Sequence, residues 1–566
     1  MFLVSQQYQF MPRLGIRQRH RDQCWTGATQ TQQSSLQASS PGSVGYLGEE
    51  SLYPIPSIPR YVDDTIAETA EFYEKLLEGT DVTEVPPPML VSAMADNYFD
   101  HVYPLEPIID RCDLSRHGSS PLLVLAICMS GTSFGHLRGS TKQIMASNKY
   151  YLKVKTLVNI DYEKNSVIVL KALCMLGCRG AKIPTQISMD SAWHWMGVSV
   201  RYAIHMGLHK EATYHGKETG GTCRRMWWHL FVRFQSTARR PRPSKLTNIL
   251  LQNQDKLLFF CYGRPSSINM QDTDVRLPTM DDFPVSHPDN NIFIQKSKLC
   301  MILGRLAQMR QNPSTSYSDL AVLGESFEEW CGDLPEELKL REEYNPQPHR
   351  RIVSELHILY HASYIIYLQA LTKLDTEVHS TRAAFEQCVR RSSRMTRLFE
   401  AILYRNEVAY IRPINNWFCL VAGLIQIRAL ATFTEDRALY NDELTIIKTV
   451  LQDMIPSSAS AALVLRNLQH CETSVETVSK PARSTSNHTA TNDPLNLSMD
   501  DHREGGIDPL FPSQGHSDMN LQPDLAPRLP NMGPNGIDDY FLVDSFDMAF
   551  SNLQSSPGML EDWSLS

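Results

Sequence analysis

Between residues 119 and 233, five successive segments (119–133, 140–158, 164–180, 188–208 and 222–233) carry apolar residues every three to four positions. That spacing gives each segment one apolar face as a helix and none as a strand. The connections are short and contain Gly or Pro, and no period-two run stands between them. The same periodicity returns from about 289 to 470, with long runs over 349–374, 380–403 and 414–435. A chain with this pattern can bury its apolar faces only by packing helix on helix. The expected fold class is all-α, a multi-helix regulatory core with disordered N- and C-terminal tails.

The boundaries follow from composition. Residues 1–60 read as a disordered tail, Gln/Ser/Thr-rich from Thr29 to Ser43 and Pro-rich at its exit. Helical structure is expected from 61 to 290 and, with a continuing core, from 291 to 470. Residues 471–536 read as a Ser/Thr/Asn/Pro/Gly-rich linker. The formal net charge is −8, so a nucleic-acid contact would need a local basic module. No stretch reaches the roughly 18 uncharged apolar residues of a membrane-spanning helix, so no membrane partner is expected. The 12 cysteines are scattered singly, several within apolar helical patterns (Cys128, Cys174, Cys419), which suits reduced buried thiols.

The most informative stretch is Ser188–Pro278. Its first helix places Trp193, Met196, Gly197, Val200, Ile204 and Leu208 on one face, with Asp190 or Ser188 as cap and Gly207 near its end. A second helix carries Arg224-Arg225-Met226-Trp227-Trp228. A third piece stops at Gly263-Arg264-Pro265 and runs on through Ile268-Asn269 to the Asp272–Pro278 segment. This order resembles the middle homology region of fungal zinc-cluster transcription factors over roughly residues 90–290. The matching positions are Ala192-Trp193, Gly207-Leu208-His209, Arg224-Arg225-x-Trp227-Trp228, Gly263-Arg264-Pro265 and Asp272-x-Asp274-Val275.

The resemblance implies a nuclear regulator of RNA polymerase II genes in a filamentous fungus. It would activate a pathway-specific set such as a secondary-metabolite cluster or carbon-use genes. It also implies promoter DNA as a partner, and a homodimer stays open. The family reads DNA through a six-cysteine module beginning C-x2-C, which holds two zinc ions. No two cysteines here are three positions apart, and only Cys24 lies in the first 100 residues. The expectation is therefore no cofactor in this chain, with zinc only if a zinc-cluster exon precedes Met1. An α-helical metabolite-binding protein or enzyme without direct DNA contact is the alternative. It lacks support, because each candidate metal or catalytic group has a plainer reading. Asp63, Asp64 and Glu68 suit helix capping, Cys174 and Cys178 core packing, and Glu355, His357 and His361 satisfied core or surface positions.

Two further stretches carry function. The last 30 residues interleave Asp538, Asp539, Asp544, Asp547, Glu561 and Asp562 with large apolar groups, and no Lys or Arg follows Arg528. That is the composition of an acidic activation segment (537–566), with Phe541, Phe546, Phe550 and Trp563 as anchors for a coactivator groove. Residues 234–254 interrupt the Trp-Trp helix. Removing them carries one apolar stripe through Trp227, Phe231, Leu257 and Cys261, so a translated intron is the preferred reading. The other reading is a loop whose Arg239, Arg240, Arg242 and Lys245 form a nuclear-import signal.

Overall fold

In the computed structural model, the described residues are 45–46, 64–116, 120–134, 141–179, 187–230, 273–312, 314–340, 349–374, 378–433 and 435–479. They form helices and connecting turns, with no β-strand among them. The sequence expects an all-α chain, and the described residues are all-α.

The first group of helices is α1 (Asp64–Glu78), α2 (Pro88–His101), α3 (Arg111–Arg116), α4 (Pro121–Thr132), α5 (Thr141–Asn159), α6 (Ser166–Arg179), α7 (Ala192–His205) and α8 (Gly220–Leu230). Pro88 opens α2 and Pro121 opens α4, at the position where a missing N–H costs nothing. Helix α4 is buried from Leu122 to Thr132, and its apolar residues fall on every side. It is accordingly the central rod of this group, packed by α2, α5 and α6, while α6 packs in turn on α7 and α8.

The second group is α9 (Asn290–Gln311), α10 (Tyr317–Gly332), α11 (Arg351–Leu374), α12 (Val378–Tyr404), α13 (Asn415–Thr432), α14 (Arg437–Met454) and α15 (Ala459–Ser479). Ser316 and Asp319 close a capping box at the start of α10. Helices α11 and α13 are surrounded: α9, α10, α12 and α13 pack on α11, and α11, α12, α14 and α15 pack on α13. A single apolar stripe was expected along 349–374. Instead α11 is buried nearly all round, and its polar Glu355, His357 and His361 lie inside.

One hydrophobic cluster runs from Met94 to Leu468, so the core crosses residue 290 without a break. Two expected boundaries move. Helix α15 extends to Ser479, past the anticipated linker start at 471. Gly45 and Tyr46, inside the expected N-terminal tail, are placed against the core. No helix among the described residues is long and apolar enough to cross a membrane.

Candidate functional site

The functional corner is built where α7 ends and α8 begins. Ser191, not Asp190 or Ser188, caps α7: its hydroxyl accepts the His194 N–H at 3.2 Å. Asp190 instead accepts Tyr151 Oη at 2.8 Å and pairs with Lys155 at 2.6 Å. The buried face of α7 runs through Trp195, Met196, Ser199, Val200 and Ala203. Trp193, expected on that face, is 39% exposed, whereas Trp195 is 3% exposed and donates to Tyr151 Oη at 3.0 Å. The sequence holds two tryptophans two positions apart, and periodicity selected the wrong one.

Gly207 then turns the chain with φ +74°. Its N–H meets the Ile204 carbonyl and the Leu208 N–H meets that of Ala203, the paired bonds of a Schellman ending, which favours glycine at this position. The chain next forms a 3-10 turn, Glu211–Tyr214. Asp274, from the extended segment before residue 280, pins its start with two bonds. Its Oδ1 accepts the Glu211 N–H at 2.7 Å, and its own N–H reaches the His209 carbonyl at 3.3 Å.

Onto this frame α8 presents two buried arginines, each held by several partners. Arg224 donates to Asp282 Oδ1 at 2.7 Å and to Glu211, and lies 4.4 Å over the Tyr214 ring. Arg225, 1% exposed, reaches both oxygens of Asp110, the Pro107 carbonyl at 3.1 Å, and the Asp282 carbonyl. Tyr103 and Thr222 donate to the same Asp110 carboxylate at 2.7 and 2.8 Å. Arg276 closes the ring with bonds to Asp282 of 2.7 and 3.0 Å.

Buried charges are tolerated when paired and hydrogen-bonded, and here every charge has an opposite partner, although Arg224 Nε is buried without a hydrogen bond. Burial alone would push the Asp282 carboxyl up, but hydrogen bonds from Arg276, Thr279 and Arg224 outweigh it and hold the group below its ordinary value. Burial, then the Asp110 charge, push the Tyr103 phenol up. Trp227 and Trp228 are fully buried behind the arginines, and the Trp228 indole donates to the Arg276 carbonyl at 2.5 Å.

Thus Gly207, His209, Arg224, Arg225, Trp227, Trp228 and Asp274 are brought together at one corner, and Trp193 is not. Gly263, Arg264, Pro265 and Asp272 lie outside the described residues. So do 234–254 with Arg239, Arg240, Arg242 and Lys245, and the segment with Phe541, Phe546, Phe550 and Trp563. Of the acids that complete the network, Asp110 ends the His101-x-Tyr103-Pro104-x-x-Pro107-Ile108-Ile109-Asp110 pattern, which also resembles a family segment, whereas Glu211 and Asp282 carry no such mark. One signal was readable for Asp282: Thr279-x-x-Asp282 has capping-box spacing, and both of its reciprocal bonds form.

A second polar cluster joins the two helix groups. Glu106 Oε1 pairs with Arg412 at 2.8 Å and with Lys296 at 3.8 Å. Arg412 also meets Glu355, which Asn415 and Arg351 bond in turn. Lys296 donates to the Leu105 carbonyl at 3.1 Å, and Arg351 to that of His101 at 3.3 Å. Burial works against the Glu106 charge, yet Arg412, Lys296 and His229 prevail and hold its carboxyl at about 2.

Cys178 and His229 complete this cluster, Sγ to Nε2 3.6 Å, and with Glu106 they place three metal-type ligand atoms within 4.8 Å of one another. These partners of Cys178 are far away in sequence, which hid them. The chemistry nevertheless favours an ion-paired anchor. Glu106 is already neutralised by two cations, and a divalent ion would bring two further positive charges into the same buried space.

Residues 95–233 match the family model described as the fungal specific transcription factor domain. Among curated proteins, cutinase transcription factor 1 alpha of Fusarium vanettenii is 25% identical over 46% of this chain and 31% of its own. The acetamidase regulatory protein of Aspergillus fumigatus is 23% identical over 62% of this chain and 44% of its own. The fusaric acid cluster transcription factor of Gibberella moniliformis is 22% identical over 46% and 39%. The chain thus spans less than half the length of each of these relatives. No solved structure matches it. The matched residues run from within α2 through α8 and include Asp110, Arg224 and Arg225, while Asp274, Arg276 and Asp282 lie beyond them; over 95–233 the chain is similar to the fungal specific transcription factor domain.

Proposed function

We propose that the chain is a pathway-specific transcription regulator of a filamentous fungus, acting in the nucleus on RNA polymerase II genes and not as a catalyst. The observation that carries this reading is the domain match at residues 95–233, seated on the buried Arg224–Arg225 corner. The names of the similar proteins, a cutinase and an acetamidase regulator and a gene-cluster factor, support a carbon-use or secondary-metabolite gene set. In this reading the helical core is regulatory and does not touch DNA. Promoter contact belongs to a zinc-cluster module not contained in these residues, and zinc is that module's cofactor. The acidic segment 537–566 recruits coactivators through its aromatic residues.

The test fuses residues 537–566 to a foreign DNA-binding module with a reporter. The fusion activates, and changing Phe541, Phe546, Phe550 and Trp563 together to Ala removes most of the activity. A quadruple variant that activates as well as the wild type would sink the aromatic-anchor account.

A further inference from the structure

Helix α7 ends at His205, and a helix leaves its last carbonyls without intrahelical partners. The His205 carbonyl is met from outside: the Tyr46 N–H donates to it at 2.9 Å. The Tyr46 ring stands edge-on to the His209 ring, centroids 4.5 Å apart at 89°, an arrangement aromatic pairs prefer. A Cβ built on Gly207 would lie 3.6 Å from Tyr46 Cβ, ordinary van der Waals distance, so Tyr46 sits directly against the turn. A Cβ built on Gly45 would overlap the His205 ring, so the residue before the tyrosine must be small or displace that ring. Backbone bond, ring contact and close approach thus converge on two residues of a stretch whose composition reads as unstructured.

We propose that Gly45-Tyr46 is a latch. The corner of His205, Gly207 and His209 is a docking site for an extended Gly-aromatic segment, and this chain's own N-terminal stretch occupies it in cis. The latch holds the N-terminal chain to the helical core at the motif that also carries the arginine network. The His209 ring, which Tyr46 covers, lies 6.3 Å from that of Trp227, and the His209 carbonyl holds Asp274. The proposal does not depend on what the core regulates.

Because the segment is tethered, its effective concentration at the corner is on the order of millimolar, and a free peptide competes with it poorly. That gives the test. A fluorescein-labelled peptide of residues 40–52 is titrated against the full chain and against full chain carrying Tyr46→Ala, with anisotropy as readout. Binding is at least tenfold tighter to the Tyr46→Ala chain, whose corner is empty, and a peptide carrying the same substitution does not bind. Equal binding to both chains, or binding to neither, overturns the docking site. Hydrogen exchange supplies a second measurement on the intact protein. The position-46 amide exchanges more slowly in wild type than in Tyr46→Ala, while α7 is unchanged. Equal exchange at position 46 overturns the latch itself.

Discussion

Replacing Asp110 by Asn removes one charge and almost no volume, and the structure says where the consequence falls. Asp110 is 2% exposed and accepts from Arg225, Tyr103 and Thr222. The NH2 that replaces one oxygen is a donor facing donors, and the Arg225 guanidinium keeps one amide oxygen, the Pro107 and Asp282 carbonyls and the Thr222 hydroxyl, but no counter-charge at position 110. Removing one partner of a buried pair costs about 3–5 kcal/mol, chiefly because the other charge stays buried and uncompensated. Against a total stability on the order of 5–15 kcal/mol that is a large fraction. With a urea slope of about 3 kcal/mol per molar, the upper end of the small-protein range, the unfolding midpoint drops by roughly 1 M. The assay is urea unfolding followed by far-UV circular dichroism, with Asp161→Asn in the exposed Lys164 pair as the control that leaves the midpoint in place. Adding Arg225→Met to Asp110→Asn recovers part of the loss, because the orphaned charge is gone. A loss below about 1 kcal/mol for Asp110→Asn, or strict additivity in the cycle, refutes the reasoning.

The Glu106 cluster makes stability depend on pH in two stages. Burial, despite Glu106, lowers His229 from 6.5 to about 4, so between those values the unfolded chain binds a proton that the folded one does not. Stability therefore falls as pH drops from 6.5 to 4, by roughly 3 kcal/mol, and His229→Gln flattens that stretch of the profile. Glu106, held at about 2 against an ordinary 4.5, adds a loss between pH 4.5 and 2 that His229→Gln leaves in place. Guanidinium unfolding at stepped pH reads both, and an unchanged slope from 6.5 to 4 in His229→Gln would contradict the assignment. Gly207→Ala puts a side chain at φ +74° and should cost about 1–2 kcal/mol, read as a lowered urea midpoint. An unchanged midpoint would mean that the Schellman turn tolerates any residue.

What the sequence discloses is set by range. Helix type and rough extent depend on neighbours three and four positions away, so 141–159, 166–179 and 378–404 emerge within two residues of expectation. Which residue of a helix faces inward depends on where the neighbouring helices lie, and Trp193 and Trp195 differ only in that. The stripe expected on α11 failed for the same reason: four packed neighbours leave it no solvent side. The motif arginines were visible through resemblance, but Asp110 lies 115 positions from Arg225 and Arg412 lies 306 from Glu106, so no local pattern joins them. The Tyr46 contact was hidden differently. A two-residue clip in a polar, glycine-containing stretch carries no periodicity at all.

The central claim is regulation of transcription, and chromatin immunoprecipitation of the gene's product, tagged at its chromosomal locus in its native host, tests it most directly, paired with transcript levels after deletion of the gene. The account expects enrichment at promoters of a restricted gene set whose transcripts change on deletion. No promoter enrichment, together with unchanged transcripts under conditions where the protein is made, would contradict it.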